Sequence, residues 1–225
     1  MVNILLVNPK TPRTLWTYND PLKLVGNKSV FPSAALLTIA GLMPREYNIK
    51  LIDTNIEKLK DSDLAWADAI ATSSWIIHWK SLEEIIQRAN SSGKNIIVGG
   101  PLSTQYHNEL KGNATFFLGE AEYDKGKLFL DTLEDILTNR QGKESRVVGN
   151  KEMLADMKDV PLRRFDLIKD RFKDYASMAI QTTRGCPEPC TYCNIPALYG
   201  NKTRIKSIEQ IIEELDSLYN FGWRG

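Results

Sequence analysis

The sequence predicts an α/β fold whose first part is a parallel, doubly wound sheet. Short apolar runs of buried-strand length recur up to residue 122, and amphipathic helical patterns separate them. Such alternation is typical of a parallel sheet that carries helices on both faces. A separate β/α pattern begins after residue 176. We therefore expect a doubly wound domain followed by the start of a second α/β unit.

Five segments carry the strand pattern in the first part of the chain. They are NILLVN (3–8), IKLID (49–53), AIATSS (69–74), NIIVGGP (95–101) and ATFFLGEAE (114–122). Helical spacing of apolar residues predicts helices over 33–43, 81–93 and 127–137. We expect the middle helix to open on a capping box of Ser81 and Glu84 and to end at Gly93. The whole pattern predicts a flavodoxin-like domain over residues 1–138.

The remainder divides into a predicted linker, 139–176, and a short unit, 177–225. This unit has a predicted strand at 177–183 and a helix that opens on a Ser207–Gln210 capping box. Its expected buried stripe is Ile208, Ile211, Ile212, Leu215 and Leu218. One strand and one helix cannot bury their apolar faces alone. We therefore expect an incomplete second domain, and a chain that is the front part of a longer protein.

Composition excludes some classes of function. Twenty-nine basic and 28 acidic residues give a net charge of +1, which offers no argument for nucleic acid or an anionic membrane. No stretch approaches the roughly 20 apolar residues that span a bilayer, and the N-terminal apolar run is too short for a signal peptide. Three clustered cysteines suit a metal site better than a disulfide framework, so we expect a reducing, cytoplasmic location.

Candidate binding residues follow the predicted strands, because doubly wound sheets bind ligands at the carboxyl ends of their strands. Two serines follow the third strand, a Gly-Gly-Pro turn follows the fourth, and a Gly-Glu pair follows the fifth. These residues are Ser73, Ser74, Gly99, Gly100, Pro101, Gly119 and Glu120. Strand–Gly–Gly turns occur in many α/β folds, so this pattern alone does not identify a ligand.

All three cysteines of the chain lie in one loop, RGCPEPCTYCNIP, as Cys186, Cys190 and Cys193. Structural zinc would require a fourth ligand, and the two histidines, His78 and His107, are far away in the sequence. Unlinked structural thiols have no reason to cluster. Three thiolates suit an iron–sulfur cluster whose fourth iron stays open for another ligand.

This loop resembles the signature of the radical S-adenosylmethionine (SAM) superfamily, C-x3-C-x2-C with an aromatic residue before the last cysteine. The resemblance implies the first β/α unit of a partial TIM barrel and a [4Fe–4S] cluster held by Cys186, Cys190 and Cys193. It also implies SAM as the source of a 5′-deoxyadenosyl radical, and an electron donor such as flavodoxin or ferredoxin. Tyr192 would contact the adenine of SAM or anchor the loop.

A doubly wound domain before such a loop resembles the cobalamin-binding (B12-binding) domain of B12-dependent radical SAM proteins. The resemblance implies that Ser73 and Ser74, with Gly99, Gly100 and Pro101, contact the nucleotide tail of cobalamin. It places Gly119 and Glu120 at the corrin edge. The loop after the first strand lacks the histidine that ligates cobalt in classical B12 domains. His78 is a weak substitute, more consistent with a packed side chain.

LRRFDL (162–167), RGCP (184–187) and GWRG (222–225) also resemble segments of the hopanoid-methylase type of B12-dependent radical SAM protein. This resemblance implies methyl transfer to an unactivated carbon of a small, lipid-like or natural-product-like substrate. A cobalamin-independent radical SAM enzyme acting on RNA or peptide, and an inactive cobalamin-binding fragment, remain open as alternatives. No catalytic side chain is assigned, and the 225 residues alone are expected to be inactive.

Overall fold

The computed structural model describes residues 1–139 and 144–225, except the side chain of Trp16. Its main sheet contains six parallel strands in the order β2-β1-β3-β4-β5-β6. The strands are β1 (Asn3–Asn8), β2 (Asn48–Asp53), β3 (Ala69–Ser73), β4 (Ile96–Gly99), β5 (Thr115–Leu118) and β6 (Arg146–Gly149). The predicted doubly wound parallel sheet is confirmed. The order reverses between β1 and β3, where such sheets open a crevice at their carboxyl ends.

Side-chain alternation along the strands divides the core into two layers. Ile4 and Leu6 of β1 face one layer, and Leu5 and Val7 face the other. The first layer includes residues of α2 (Ala34–Leu42) and α6 (Lys127–Thr138). The second includes residues of α3 (Asp61–Trp66), α4 (Trp79–Ser91) and α5 (Gly100–Tyr106). A short α1 (Asn19–Leu24) precedes α2.

The sixth strand was not predicted, because β6 lies at the sheet edge and lacks a buried apolar pattern. It pairs with β5 from Thr115↔Arg146 to Leu118↔Gly149. Arg146 and Val147 are exposed. The predicted linker 139–176 therefore contributes a strand to the sheet, while its residues 140–143 lie outside the described residues.

The rest of the predicted linker also joins the core. Phe165, Ile168, Phe172 and Tyr175 are buried against the same layer as α2 and α6. Backbone N–H groups of Lys28 and Ser29 donate to the Asp174 carbonyl at 2.8 and 3.1 Å. Buried aromatic side chains in a segment without long elements are hard to recognise from periodicity.

Near the C-terminal end, two short strands pair antiparallel: β7 (Thr183–Arg184) and β8 (Arg204–Ile205). The helices there are α7 (Ile195–Tyr199) and α8 (Ile208–Asn220). Of the predicted strand 177–183, only Thr183 lies in a strand. A strand needs neighbours for its backbone hydrogen bonds, and residues 177–182 have no strand partner within the described ranges.

Two helix starts test the capping predictions. At α8, the Ser207–Gln210 box is confirmed, because each backbone N–H donates to the other residue's side chain. At α4 the predicted box is wrong. The helix begins at Trp79, and the Ser81 hydroxyl donates to the carbonyls of Lys10 and His78. Gly93 does follow the end of α4 with a φ of +66°.

The predicted buried stripe of α8 is mostly wrong. Leu218 is only 5% exposed, whereas Ile208 is 70% exposed. Ile212 and Leu215 are also largely exposed. Helical periodicity identifies an apolar face but not the surface that covers it. In the described ranges, no helix is both long and apolar enough to cross a membrane.

Candidate functional site

A cavity of about 810 Å³ opens at the carboxyl edge of the main sheet. Asn8 at the end of β1 and Thr72 at the end of β3 line its sheet side. Residues 179–184 and Tyr199 line the opposite side. The cavity therefore lies between the reversal point of the sheet and the segment that leads into the cysteine loop.

Most of the predicted binding residues meet at this cavity. Its lining includes Ser73, Gly99, Gly100, Pro101, Gly119 and Glu120. Ser74 is fully buried behind them, and its hydroxyl has no hydrogen-bond partner among the described residues. Thr72, which sequence reasoning did not select, lines the cavity with a hydroxyl that is likewise unpartnered in the described part of the chain. The unpartnered Thr72 hydroxyl at the cavity wall suits a polar ligand.

Two of the glycines are required by the backbone. Gly100 has a φ of +88°, and a Cβ there would lie 2.6 Å from the Ser73 hydroxyl and 2.8 Å from the Ser74 nitrogen. Gly119 has a φ of +80°, and its Cβ would collide with the Asn150 carbonyl. Gly99 is extended, and the atoms nearest its Cβ would be 3.9 Å away. The backbone therefore requires glycine at position 100 but not at position 99.

His78 lines the cavity but has both ring nitrogens occupied. The Trp75 N–H donates to Nδ1 at 3.2 Å, so the proton of the neutral ring is on Nε2, which donates to the Thr11 hydroxyl at 3.2 Å. Burial lowers the pKa of His78, with Asp53 opposing the shift. These contacts favour a packed neutral histidine over a metal ligand.

An apolar wall completes the cavity near the cysteine loop. The rings of Trp75 and Tyr199 lie 6.4 Å apart at an angle of 51°. Burial raises the pKa of Tyr199 to about 12, so its phenol is neutral at physiological pH. Aromatic faces together with the unpartnered Thr72 hydroxyl make a site for a partly apolar ligand.

Glu120, predicted to lie at the corrin edge, has its carboxylate bound to arginines. Arg184 and Arg204 both donate to it, and Arg184 also reaches Glu122. Burial lowers the pKa of Arg184, but the carboxylates of Glu122 and Glu120 outweigh burial and raise it overall. Sequence reasoning missed both arginines, although Arg184 stands two residues before Cys186.

The three cysteines are free thiols on one loop. Cys186 and Cys193 are half-buried, and Cys190 is exposed. The Cys186 N–H donates to the Gly200 carbonyl at 3.2 Å, and the Cys193 N–H donates to the Cys190 carbonyl at 3.1 Å. Tyr192 is 89% exposed and is absent from the cavity lining. Within residues 1–139 and 144–225, no group of three Cys, His, Asp or Glu side chains is preassembled around a metal position.

The chemistry of this donor set nevertheless fits an iron–sulfur cluster. Three thiols on one loop are the soft ligands that such clusters take, and none is in a disulfide within the described part of the chain. Three ligands leave one iron without a protein donor. The loop therefore suits a cluster with an open coordination position.

The sequence is similar to known proteins over nearly its whole length. No protein-family model matches the chain. An uncharacterized methyltransferase of Synechocystis sp. is 35% identical over 220 residues, which cover 98% of this chain and 40% of the relative. The hopanoid C-2 methylase of Rhodopseudomonas palustris is 30% identical over 223 residues, 99% of this chain and 41% of that protein. The chain thus spans about two fifths of the length of these relatives.

A solved structure shares the fold. The radical S-adenosylmethionine methyltransferase TsrM from Kitasatospora setae, with cobalamin and a [4Fe–4S] cluster bound, aligns with a TM-score of 0.59. The alignment covers 99% of this chain and 46% of TsrM at 13% identity, which shows similarity of fold. The sheet, the cysteine loop and these relatives define a class: the radical SAM proteins with a B12-type N-terminal domain. The chain is similar to this class in its sheet and its cysteine loop, and its sequence is similar to that of the hopanoid C-2 methylase.

Proposed function

We propose that this chain is the N-terminal part of a cobalamin-dependent radical SAM methyltransferase. The observation that carries the proposal is the juxtaposition of a three-thiol loop with a large cavity at the carboxyl edge of a B12-type sheet. The methyltransferase relatives support the reaction type. We propose domain limits of 1–138 and 177–225 joined by 139–176, although this joining segment contributes β6 and core side chains.

Cys186, Cys190 and Cys193 would hold the [4Fe–4S] cluster, with SAM at the open iron. Bound there, the cluster and SAM would supply the one-electron chemistry that generates a carbon radical. The loop residues would contribute ligation and orientation. Tyr192 is exposed and free to pack on SAM, as its place in the motif suggests.

The cavity would receive cobalamin. Ser73 and Ser74, with the backbone of Gly99, Gly100 and Pro101, would contact its nucleotide tail, although the Ser74 hydroxyl is buried behind the cavity lining in this structure. Gly119 and Glu120 would lie beside the corrin. Because both ring nitrogens of His78 are engaged, this residue would pack against the cofactor without ligating cobalt.

The substrate is proposed to be a small molecule, lipid-like or natural-product-like, methylated on an unactivated carbon. The name of the Rhodopseudomonas palustris relative supports a hopanoid-like class of substrate. We further propose a cytoplasmic location and a flavodoxin-type or ferredoxin-type electron donor, in keeping with three free thiols.

Anaerobic reconstitution with iron and sulfide, followed by hydroxocobalamin and desalting, tests the proposal. We expect a broad iron–sulfur absorption and a separate corrin band. Cys190→Ala should lose the first band and keep the second. Thr191→Ala, in the same loop, is the matched control and should keep both.

Each failure has a distinct meaning. A cluster without a corrin band would favour the cobalamin-independent alternative acting on RNA or peptide. A corrin band without iron would leave only a cobalamin-binding fragment. Preferential uptake of zinc by the three thiols would reject the radical SAM assignment.

A further inference from the structure

We propose that Glu120, Glu122, Arg184 and Arg204 form a positioning network that holds the start of the cysteine loop against the carboxyl edge of the sheet. The reason for holding the loop rests on the proposed function, because cluster ligands need a fixed orientation. The network's contacts with the loop, however, are present in the chain without any cofactor.

The contacts in this network are charge-assisted and well directed. Arg184 donates from Nη1 to Glu120 Oε2 at 2.8 Å and from Nη2 to Glu122 Oε1 at 2.9 Å. Arg204 donates from Nη2 to Glu120 Oε1 at 2.5 Å and from Nη1 to Glu120 Oε2 at 2.8 Å. A guanidinium fork on a carboxylate is among the stronger and more orienting contacts in proteins.

Burial makes these contacts hard to replace. The four side chains are between 4% and 19% exposed, and two positive charges balance two negative ones. Removal of one partner would leave a buried charge without compensation. Glu120 also accepts the Ala155 N–H at 2.9 Å, so the network includes the segment that follows β6.

The network is continuous with the backbone of the cysteine loop. Arg184 lies in β7, and the next residue, Gly185, has a φ of +87° and packs so closely on the Lys202 carbonyl that a Cβ would collide with it. The Cys186 N–H then donates to the Gly200 carbonyl at 3.2 Å. The chain is thus fastened from Arg184 to Cys186, whereas Cys190 is exposed.

These contacts give the acidic pair after β5 a role besides contact with a cofactor. Both Glu120 oxygens are already bound to guanidinium groups, and Glu122 binds Arg184. Glu120 nevertheless lines the cavity. The Glu120 carboxylate thus connects the cavity wall to Arg184, which stands two positions before Cys186.

Thiol alkylation of the apo chain tests the network without any metal. Modification of each cysteine by iodoacetamide is followed by mass spectrometry under anaerobic, reducing-agent-free conditions. In Glu122→Gln and in Arg184→Gln, we expect Cys186 to react about tenfold faster than in the wild type, because loss of a charge-assisted hydrogen bond favours loop opening by roughly that factor. Cys190 should react at the wild-type rate.

The two variants separate loop release from simple electrostatics. Glu122→Gln makes the surroundings more positive and Arg184→Gln makes them more negative. A field effect on the thiolates would change the rates in opposite directions, whereas loop release increases both. Asp63→Asn, which removes a buried carboxylate paired with Lys50 in another part of the fold, is the matched control and should leave the Cys186 rate unchanged.

The reconstituted chain supplies a second readout. Iron release to a chelator should be faster in Glu122→Gln and Arg184→Gln than in the wild type and Asp63→Asn. Unchanged Cys186 alkylation in both network variants, with circular dichroism showing a folded chain, would overturn the inference. Absence of a cluster in the wild type would instead reject the proposed function, and the apo-chain alkylation result would still decide the network.

Discussion

Gly100, at the residue scale, occupies a backbone position that other residues fill only with strain. Its φ is +88°, and a Cβ would meet the Ser73 hydroxyl and the Ser74 backbone within 2.9 Å. We predict that Gly100→Ala lowers the free energy of unfolding by about 1–3 kcal/mol. Chemical denaturation measures this loss. Gly99→Ala, in extended backbone where the nearest atoms would lie 3.9 Å from the added Cβ, should change stability by less than ~0.5 kcal/mol. Equal losses in the two variants would contradict the assignment.

We predict that His78 makes the free energy of unfolding depend on pH. Its folded-state pKa lies below the ordinary value of 6.5, with burial as the main cause. A depressed pKa means that the unfolded chain binds the proton first, so this contribution is full above pH 6.5 and is lost as pH falls through the folded pKa. Through this group, the free energy of unfolding falls by at most about 1.4 kcal/mol for each pH unit.

His78→Asn should remove this part of the pH dependence. Free energies of unfolding at pH 7.5 and 5.5 measure it, and the difference between the two values should be smaller in the variant than in the wild type. Carboxylates elsewhere contribute equally to both proteins and cancel in the comparison. The same pH dependence in both proteins would place the proton uptake on other groups.

Helix α8, at the element scale, shows how an apolar face and a buried face differ. Leu218 is buried in the same core layer as Phe172, whereas Ile208 extends from the first turn into solvent. We predict that Leu218→Ala costs about 2–4 kcal/mol of stability. Ile208→Ala is the matched control on the same helix and should cost less than ~0.5 kcal/mol. Denaturant titration compares the two, and a larger loss for Ile208→Ala would show that this face is covered in solution.

For the cysteine loop, the sequence predicts which residues lie together but not how the loop is attached to the sheet. Its proposed ligand set could be recognised from the spacing of Cys186, Cys190 and Cys193, because one short loop keeps its residues close in any fold. Its attachment to the sheet could not be recognised. Glu120 and Arg184 are 64 residues apart, and only the folded chain brings the two charges together.

At the scale of the whole molecule, the segment 157–175 joins both ends of the chain into one core. Phe165, Ile168, Phe172 and Tyr175 share an apolar layer with β1 and α2 at one end and with Leu218 at the other. We predict that Phe165→Ala costs about 3–5 kcal/mol. The wild type should unfold in one transition when followed by both circular dichroism and tryptophan fluorescence.

Phe221→Ala is a suitable control for this prediction, because Phe221 is an aromatic residue outside the buried core. It should leave the midpoint of denaturation close to the wild-type value. Two separate transitions in the wild type, with Phe165→Ala affecting only one of them, would mean that the segment behaves as a linker between independent units.

The sequence alone determined the sheet class, the four longest helices of the described residues, the three-thiol loop and six of the positions that line the cavity. These features depend on local patterns: strand-length apolar runs, helical periodicity, and residues at the carboxyl ends of adjacent strands. The glycines and serines after β3, β4 and β5 converge because parallel strands end at one edge of the sheet.

Only the tertiary structure decided which apolar surfaces are covered and which charges are paired. It added β6 at the edge, placed the aromatic residues of 157–175 in the core, exposed most of the α8 stripe, and bound Glu120 to two arginines. The physical reason is the distance along the chain over which each kind of interaction acts. Periodicity and spacing act within a few residues, whereas burial and ion pairing depend on neighbours that are distant in the chain and meet only when it folds.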